Sequence, residues 1–152
     1  MVKKLSLYVH IPFCVKKCLY CDFLSFVASK ELISDYFEAL RREIVFSAKD
    51  YCEFEVNSIF FGGGTPSFVP EKEICDTLLC IKEGFNVSDC AEISVEANPA
   101  SAMKDKLSAY FLFGFNRLSI GAQSLNDDEL KRLGRAHTSE MFFETYQNAR
   151  KI

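Results

Sequence analysis

Leu5-Ser6-Leu7-Tyr8-Val9-His10-Ile11-Pro12-Phe13-Cys14-Val15-Lys16-Lys17-Cys18-Leu19-Tyr20-Cys21 joins an apolar run to three closely spaced cysteines. Leu5 to Ile11 reads as a strand, and Pro12 ends it. The cysteines follow at C-x3-C-x2-C spacing, so a thiol-rich loop leaves the end of the first strand. Three thiolates suit a metal centre. A cubane of four irons normally takes four thiolates, and three leave one iron open to bind a substrate and pass it an electron. Zinc is the rival reading, but a structural zinc site wants four ligands, and no fourth Cys lies at close spacing.

The same strand-then-loop pattern recurs outward along the chain. Glu31 to Lys49 predicts a helix, with Ile33, Phe37, Leu40 and Ile44 on one stripe. Asn57 to Phe61 is a second strand, ending in Gly62-Gly63-Gly64-Thr65-Pro66. A helix follows with Pro70 at its first position and Ile74, Leu78 and Ile81 turned inward. Ala91 to Ala97 is a third strand, stopped by Asn98-Pro99. Ser101 is the expected cap of a third helix ending near Gly114. Arg117 to Ala122 is a fourth strand. Asn126 then caps a fourth helix, with Glu129 at the reciprocal capping-box position and Gly134 after its end. Thr138 to Lys151 is the last helix.

Regular βα alternation implies a parallel sheet with covering helices. Four units are visible, whereas a closed eight-unit barrel needs about 250 residues. The expected fold is α/β, a parallel (βα) partial barrel whose fourth strand is an unpaired edge, itself an association hazard. At 152 residues, 49% apolar and with fifteen Phe, the chain has enough material for one sizeable core.

Charge and cysteine usage exclude several classes. The formal net charge is −3 and Lys/Arg never cluster beyond pairs, so no nucleic-acid footprint is expected. No apolar run approaches the roughly 20 residues of an integral membrane span. His10 and Pro12 interrupt the N-terminal apolar run, which reads as a strand and not a signal peptide. Seven cysteines without a secretory signal argue for a reducing cytoplasm and for metal ligation over disulfides. Cys52, Cys75, Cys80 and Cys90 read as small core residues, and Cys75 and Cys80, five apart on a helix, do not share a face.

In parallel α/β folds ligands gather at the C-terminal ends of the strands, and each unusual motif sits at such an end. The cysteine loop follows the first strand and Gly62-Gly63-Gly64-Thr65-Pro66 the second. Glu96-Ala97-Asn98-Pro99 ends the third and Gly121-Ala122-Gln123-Ser124 the fourth. Glycines without side chains let a ligand lie on the backbone and leave N–H and C=O groups available to it. The triple glycine is not a phosphate-binding loop, because the Lys-Ser/Thr pair is missing. Glu96 has the chemistry to accept two hydrogen bonds from a ribose diol or to sit as a strand-end carboxylate in water. Arg135 is either a solvated charge or a guanidinium suited to a carboxylate.

Together these motifs resemble the radical S-adenosylmethionine (SAM) superfamily. Y-x-H-I-P-F-C-x3-C-x-Y-C-D-F, G-G-G-T-P, E-x-N-P and G-x-Q-S resemble its oxygen-independent coproporphyrinogen III oxidase group. The match covers essentially the whole chain but only the front part of the family's length. The resemblance implies a [4Fe-4S] cluster held by Cys14, Cys18 and Cys21, with the SAM amine and carboxylate on the fourth iron. It implies SAM contacts from Tyr8, Tyr20, Gly63, Gly64, Thr65, Glu96, Gln123 and Arg135, divided in the oxidases between two SAM molecules. His10 belongs to the signature without ligating the cluster and reads as structural. His137, in Gly134-Arg135-Ala136-His137, has no assigned role. Superfamily chemistry passes an electron from the reduced cluster into SAM, releasing methionine and a 5′-deoxyadenosyl radical; the cofactor carries the hard step and the protein positions it.

Two branches divide the group. Oxidases extend the motif by one further cysteine, C-x3-C-x2-C-x-C, whereas here Asp22-Phe23 follows Cys21. That ending resembles the HemW-type haem chaperones. The implied partners are SAM, haem or a porphyrinogen, and an electron donor protein. The family's fifth strand, its accessory domain and its haem-associated His/Tyr/Trp segment have no counterpart in residues 1–152. The expectation is therefore an N-terminal part of a radical SAM core: a haem chaperone, an oxidase in porphyrin biosynthesis, or an inactive fragment.

Overall fold

The structure is a computed structural model and describes residues 3–152. Its centre is one sheet of four parallel strands in the order β1-β2-β3-β4: Lys3–Ile11, Phe54–Gly63, Val87–Ala97 and Arg117–Ile120. Each strand is followed by helix, giving α1 (Lys30–Ala48), α2 (Glu71–Gly84), α3 (Lys104–Phe113), α4 (Asp127–Arg132) and α5 (Ser139–Lys151). Among the described residues β1 and β4 are the sheet edges. The α/β, four-unit parallel reading is thus the observed fold.

Alternation along the strands sets the two faces of the sheet. Val9, Ile11, Val56, Ile59, Phe61, Ile93 and Val95 are buried in one cluster with Ile33, Phe37 and Ile44 of α1 and Ile74, Leu78 and Ile81 of α2. Leu40 packs at its margin, so the α1 stripe is as expected. Burying each such side chain contributes about 1.5–3 kcal/mol. The opposite face carries polar contacts beside the aromatic pair Tyr8 and Phe60: Ser58 donates to Ser6 (2.8 Å), and Arg117 reaches Glu92 (3.1 Å) and Ser94 (3.4 Å).

Boundaries differ from the sequence expectation where tertiary hydrogen bonds take over. Ser101 does not cap α3, whose N-cap is Met103 with no side-chain bond. The Ser101 hydroxyl is drawn instead to Ser67 Oγ (2.7 Å) and to the Asn98 carbonyl (3.2 Å). Pro70 stands one residue before α2. Asn126 caps α4 through Asp128 N and Glu129 N, but Glu129 does not reach back to the cap. Its carboxylate accepts from Ser124 Oγ (2.5 Å), which in turn accepts from Asn126 N (3.0 Å), so one hydroxyl relays the expected bond. β3 begins four residues early and β4 stops at Ile120, where the chain turns into the rim. Asn57 is an extra residue between the paired Val56 and Ser58, a bulge that breaks the β2 register. Cys52 and Cys90 are exposed, contrary to the core reading. Cys75 is buried and Cys80 partly so.

Candidate functional site

The rim at the C-terminal ends of the strands is a set of loops tied to one another. The cysteine loop closes at its neck, where Phe26 N donates to Pro12 O (2.8 Å) and Cys14 N to Phe26 O (3.1 Å). Phe13 is fully buried there, edge-on to Phe26 and Tyr36. His10 Nε2 donates to Leu24 O (2.9 Å), since a carbonyl only accepts, leaving Nδ1 to accept from Tyr8 Oη (3.3 Å). Both ring nitrogens of His10 are thus engaged within the protein. At the tip, Cys21 N donates to Cys18 O, and Leu19 N to Leu133 O (both 3.2 Å), tying the loop to the end of α4.

The triple glycine serves this packing. A Cβ on Gly64 would lie 2.8 Å from the Phe13 carbonyl and 3.0 Å from that of Ile11. Gly63 has φ +113°, and a Cβ there would lie 2.6 Å from the His10 ring. Only glycine lets the two loops close so tightly. The expectation that the loop's N–H groups stay open to a ligand is overturned. Gly64 N donates to Ile11 O, Thr65 N to Phe13 O (both 2.8 Å), and Gly63 N to Glu96 Oε2 (3.2 Å). The ladder and loop bonds of this parallel rim use them.

Further serine and lysine contacts brace the next loops. Ser67 Oγ accepts from Asn98 N (2.9 Å) and meets Ser101. Lys106 Nζ donates to Ser67 O (2.7 Å) and Val69 O (2.9 Å), and burial lowers its pKa. None of this bracing was visible in the sequence, because each bond joins residues some thirty or more positions apart.

These loops enclose a cavity of about 830 Å³. It is lined by Cys14, Cys18, Cys21 and Tyr20, by Gly63, Gly64 and Thr65, and by Glu96, Gln123 and Arg135. Tyr8 is outside it, 60% exposed on the open sheet face and stacked on Phe60 (6.0 Å between ring centroids). Burial raises the pKa of Glu96, opposed by the Gly63 N–H. Burial also raises that of Tyr8, reinforced by the Glu96 charge. Gln123 has φ +63°, rare for a residue with a side chain, at the turn out of β4. Such strain clusters at ligand sites.

The donor set fits an iron–sulfur cluster. The three sulfurs are soft ligands with a common cavity in front of them. Cys14 Sγ lies 3.4 Å from Thr65 Oγ1, and Arg135 Nη1 donates to Cys18 Sγ at 3.8 Å. Among the described residues no three His, Cys, Asp or Glu side chains gather closely enough to hold one metal ion. A cubane is held by cysteines on separate irons, so its ligands need a shared cavity and not a shared point. His137, unassigned from the sequence, is 3% exposed and bridges Arg135 Nε (3.3 Å) and Ala122 O (3.1 Å).

The sequence profile described as the Radical SAM superfamily matches residues 8–152. The chain belongs to that superfamily. It is 41% identical over 147 residues to the radical S-adenosyl methionine domain-containing protein 1, mitochondrial, of Danio rerio, covering 97% of this chain and 33% of that one. It is 35% identical over 148 residues to the heme chaperone HemW of Bacillus subtilis, covering 97% and 39%. Among solved structures, the coproporphyrinogen III oxidase HemN of Escherichia coli superposes with a TM-score of 0.90 at 35% identity, over 98% of this chain and 35% of that one. The chain thus spans between a third and two fifths of these relatives. Within it no described helix is long and apolar enough to cross a membrane.

Proposed function

We propose that residues 1–152 are the N-terminal part of a radical SAM core of the HemW type, which holds a [4Fe-4S] cluster and SAM and serves in haem delivery. The observation that carries the reading is the single cavity faced by three thiols, the glycine loop, Glu96, Gln123 and Arg135. Cys14, Cys18 and Cys21 would hold the cluster. When bound, such a cluster supplies one electron to SAM. The chain's own contribution is positional: the Phe13 neck fixes the first thiol, and Glu96 offers a carboxylate to a ribose diol. Asp22-Phe23 after Cys21 and the HemW relatives support the chaperone branch, with haem and an electron donor protein as partners in a reducing compartment such as the cytoplasm.

The similarity to HemN favours a second reading, an oxygen-independent coproporphyrinogen III oxidase acting on a porphyrinogen. Reconstitution without oxygen tests both. Wild-type chain is expected to take up iron and sulfide and to give a cubane paramagnetic resonance signal that changes with SAM. Cys18→Ala should lose the cubane, and an unchanged iron and sulfide content in that variant would overturn the assignment. Tight haem binding favours the chaperone, whereas porphyrinogen conversion favours the oxidase.

A further inference from the structure

Arg135 is held by four contacts to the protein. Nε donates to His137 Nδ1 (3.3 Å) and Nη2 to Gly121 O (3.0 Å). Nη1 donates to Tyr20 Oη (3.4 Å) and to Cys18 Sγ (3.8 Å). A guanidinium has five N–H donors, and four of them are directed at the protein. Among the described residues Arg135 forms no ion pair with a carboxylate. A partly buried cation without an anion is costly, and the group it touches that becomes anionic on metal binding is the Cys18 sulfur.

The placement is built in from below. Gly121 makes room: a Cβ there would lie 3.3 Å from Arg135 Nη2. His137 Nε2 faces the Ala122 carbonyl and must carry the hydrogen, so Nδ1 presents its lone pair to Arg135 Nε. Burial, and then the Arg135 charge, lower the His137 pKa, consistent with a neutral ring in this role.

We propose that Arg135 is an electrostatic partner of the cluster, donating an N–H···S hydrogen bond to the Cys18 thiolate, and that His137 is the positioning residue that aims it. This rests on the cluster reading above. Hydrogen bonds to cluster sulfurs and nearby charge set reduction potentials. A cation at the thiolate stabilises the reduced, more negative cluster, so it raises the potential.

The test is a redox titration of the reconstituted cluster followed by paramagnetic resonance, without SAM, so that contacts to SAM do not contribute. Arg135→Leu is expected to make the cluster at least tenfold harder to reduce, about 59 mV for one electron. His137→Leu should move the potential in the same direction by less. His137→Gln, which keeps one acceptor and one donor at similar spacing, should restore it; a merely structural histidine would change cluster occupancy and leave the potential of the clusters that form unmoved. In the metal-free chain, nitrogen resonance of the His137 ring should report a neutral ring protonated at Nε2. Unchanged potentials in cubane-containing Arg135→Leu would overturn the proposal and leave the cluster reading standing. If Arg135→Leu takes up no cluster, equal potentials for His137→Leu and His137→Gln would overturn it. Failure of the wild-type chain to form a cubane would overturn both readings.

Discussion

The helix-covered face of the sheet and its C-terminal rim are built on opposite principles. The covered face is apolar and locally encoded: α1 and α2 each bury one stripe against alternating strand residues. The rim is held by hydrogen bonds between distant loops, by glycines where backbones meet, and by partly buried charges at Glu96, Lys106 and Arg135. The difference teaches that stability and site geometry are separable here. Apolar burial is non-directional and tolerates repacking, whereas a rim of single hydrogen bonds has a geometry that each contact must maintain.

Damage to the covered face should therefore cost the most stability and the least site function. Phe37 is fully buried, and Phe37→Ala is expected to destabilise by about 3–5 kcal/mol. Denaturant unfolding would show this, while iron bound per folded molecule stays unchanged. A parallel loss of iron per folded molecule would break the comparison.

Gly64→Ala probes the seam between the cysteine and glycine loops. The new methyl would meet two carbonyl oxygens of the opposing backbone, a clash costing about 1–3 kcal/mol. Cluster uptake should fall by more than the stability loss explains, because the displaced segment carries Cys14. Titrating iron binding against unfolding midpoint in the same preparation checks the ratio.

The smallest effect sharpens the electrostatic half. The folded-state pKa of Glu96 is raised by burial, so its contribution to stability is fully present below the unfolded carboxylate value of about 4.3. That contribution is lost as pH rises through the folded value. Glu96→Gln should flatten that acid-side slope and be slightly more stable than wild type at neutral pH, since the amide oxygen still accepts from Gly63 N–H. A steeper slope in the variant would contradict the burial argument.

Much of both regions was legible in advance, for identifiable reasons. The Ile33-Phe37-Ile44 and Ile74-Leu78-Ile81 stripes were readable because helical period is local. The rim motifs were readable because parallel topology sends every strand end to the same side. Ser101 was misread as a cap because its hydroxyl had a better partner in Ser67, 34 residues away. The glycine loop was expected to offer free N–H groups, yet the facing Ile11 and Phe13 carbonyls and the Glu96 carboxylate occupy them. Cys52 and Cys90 looked like core residues by composition, but exposure is a property of the packed chain.

By itself the sequence determined the βα alternation, the apolar faces and the chemical identity of the cavity's donors, since these follow from residue type and short-range period. Only the tertiary structure decided how those donors are aimed. It placed Arg135 against Cys18, 117 positions earlier in the chain, and put His137 beneath it. Such pairings depend on where separate loops meet, and no local spacing records the angle at which two hydrogen-bonding groups arrive.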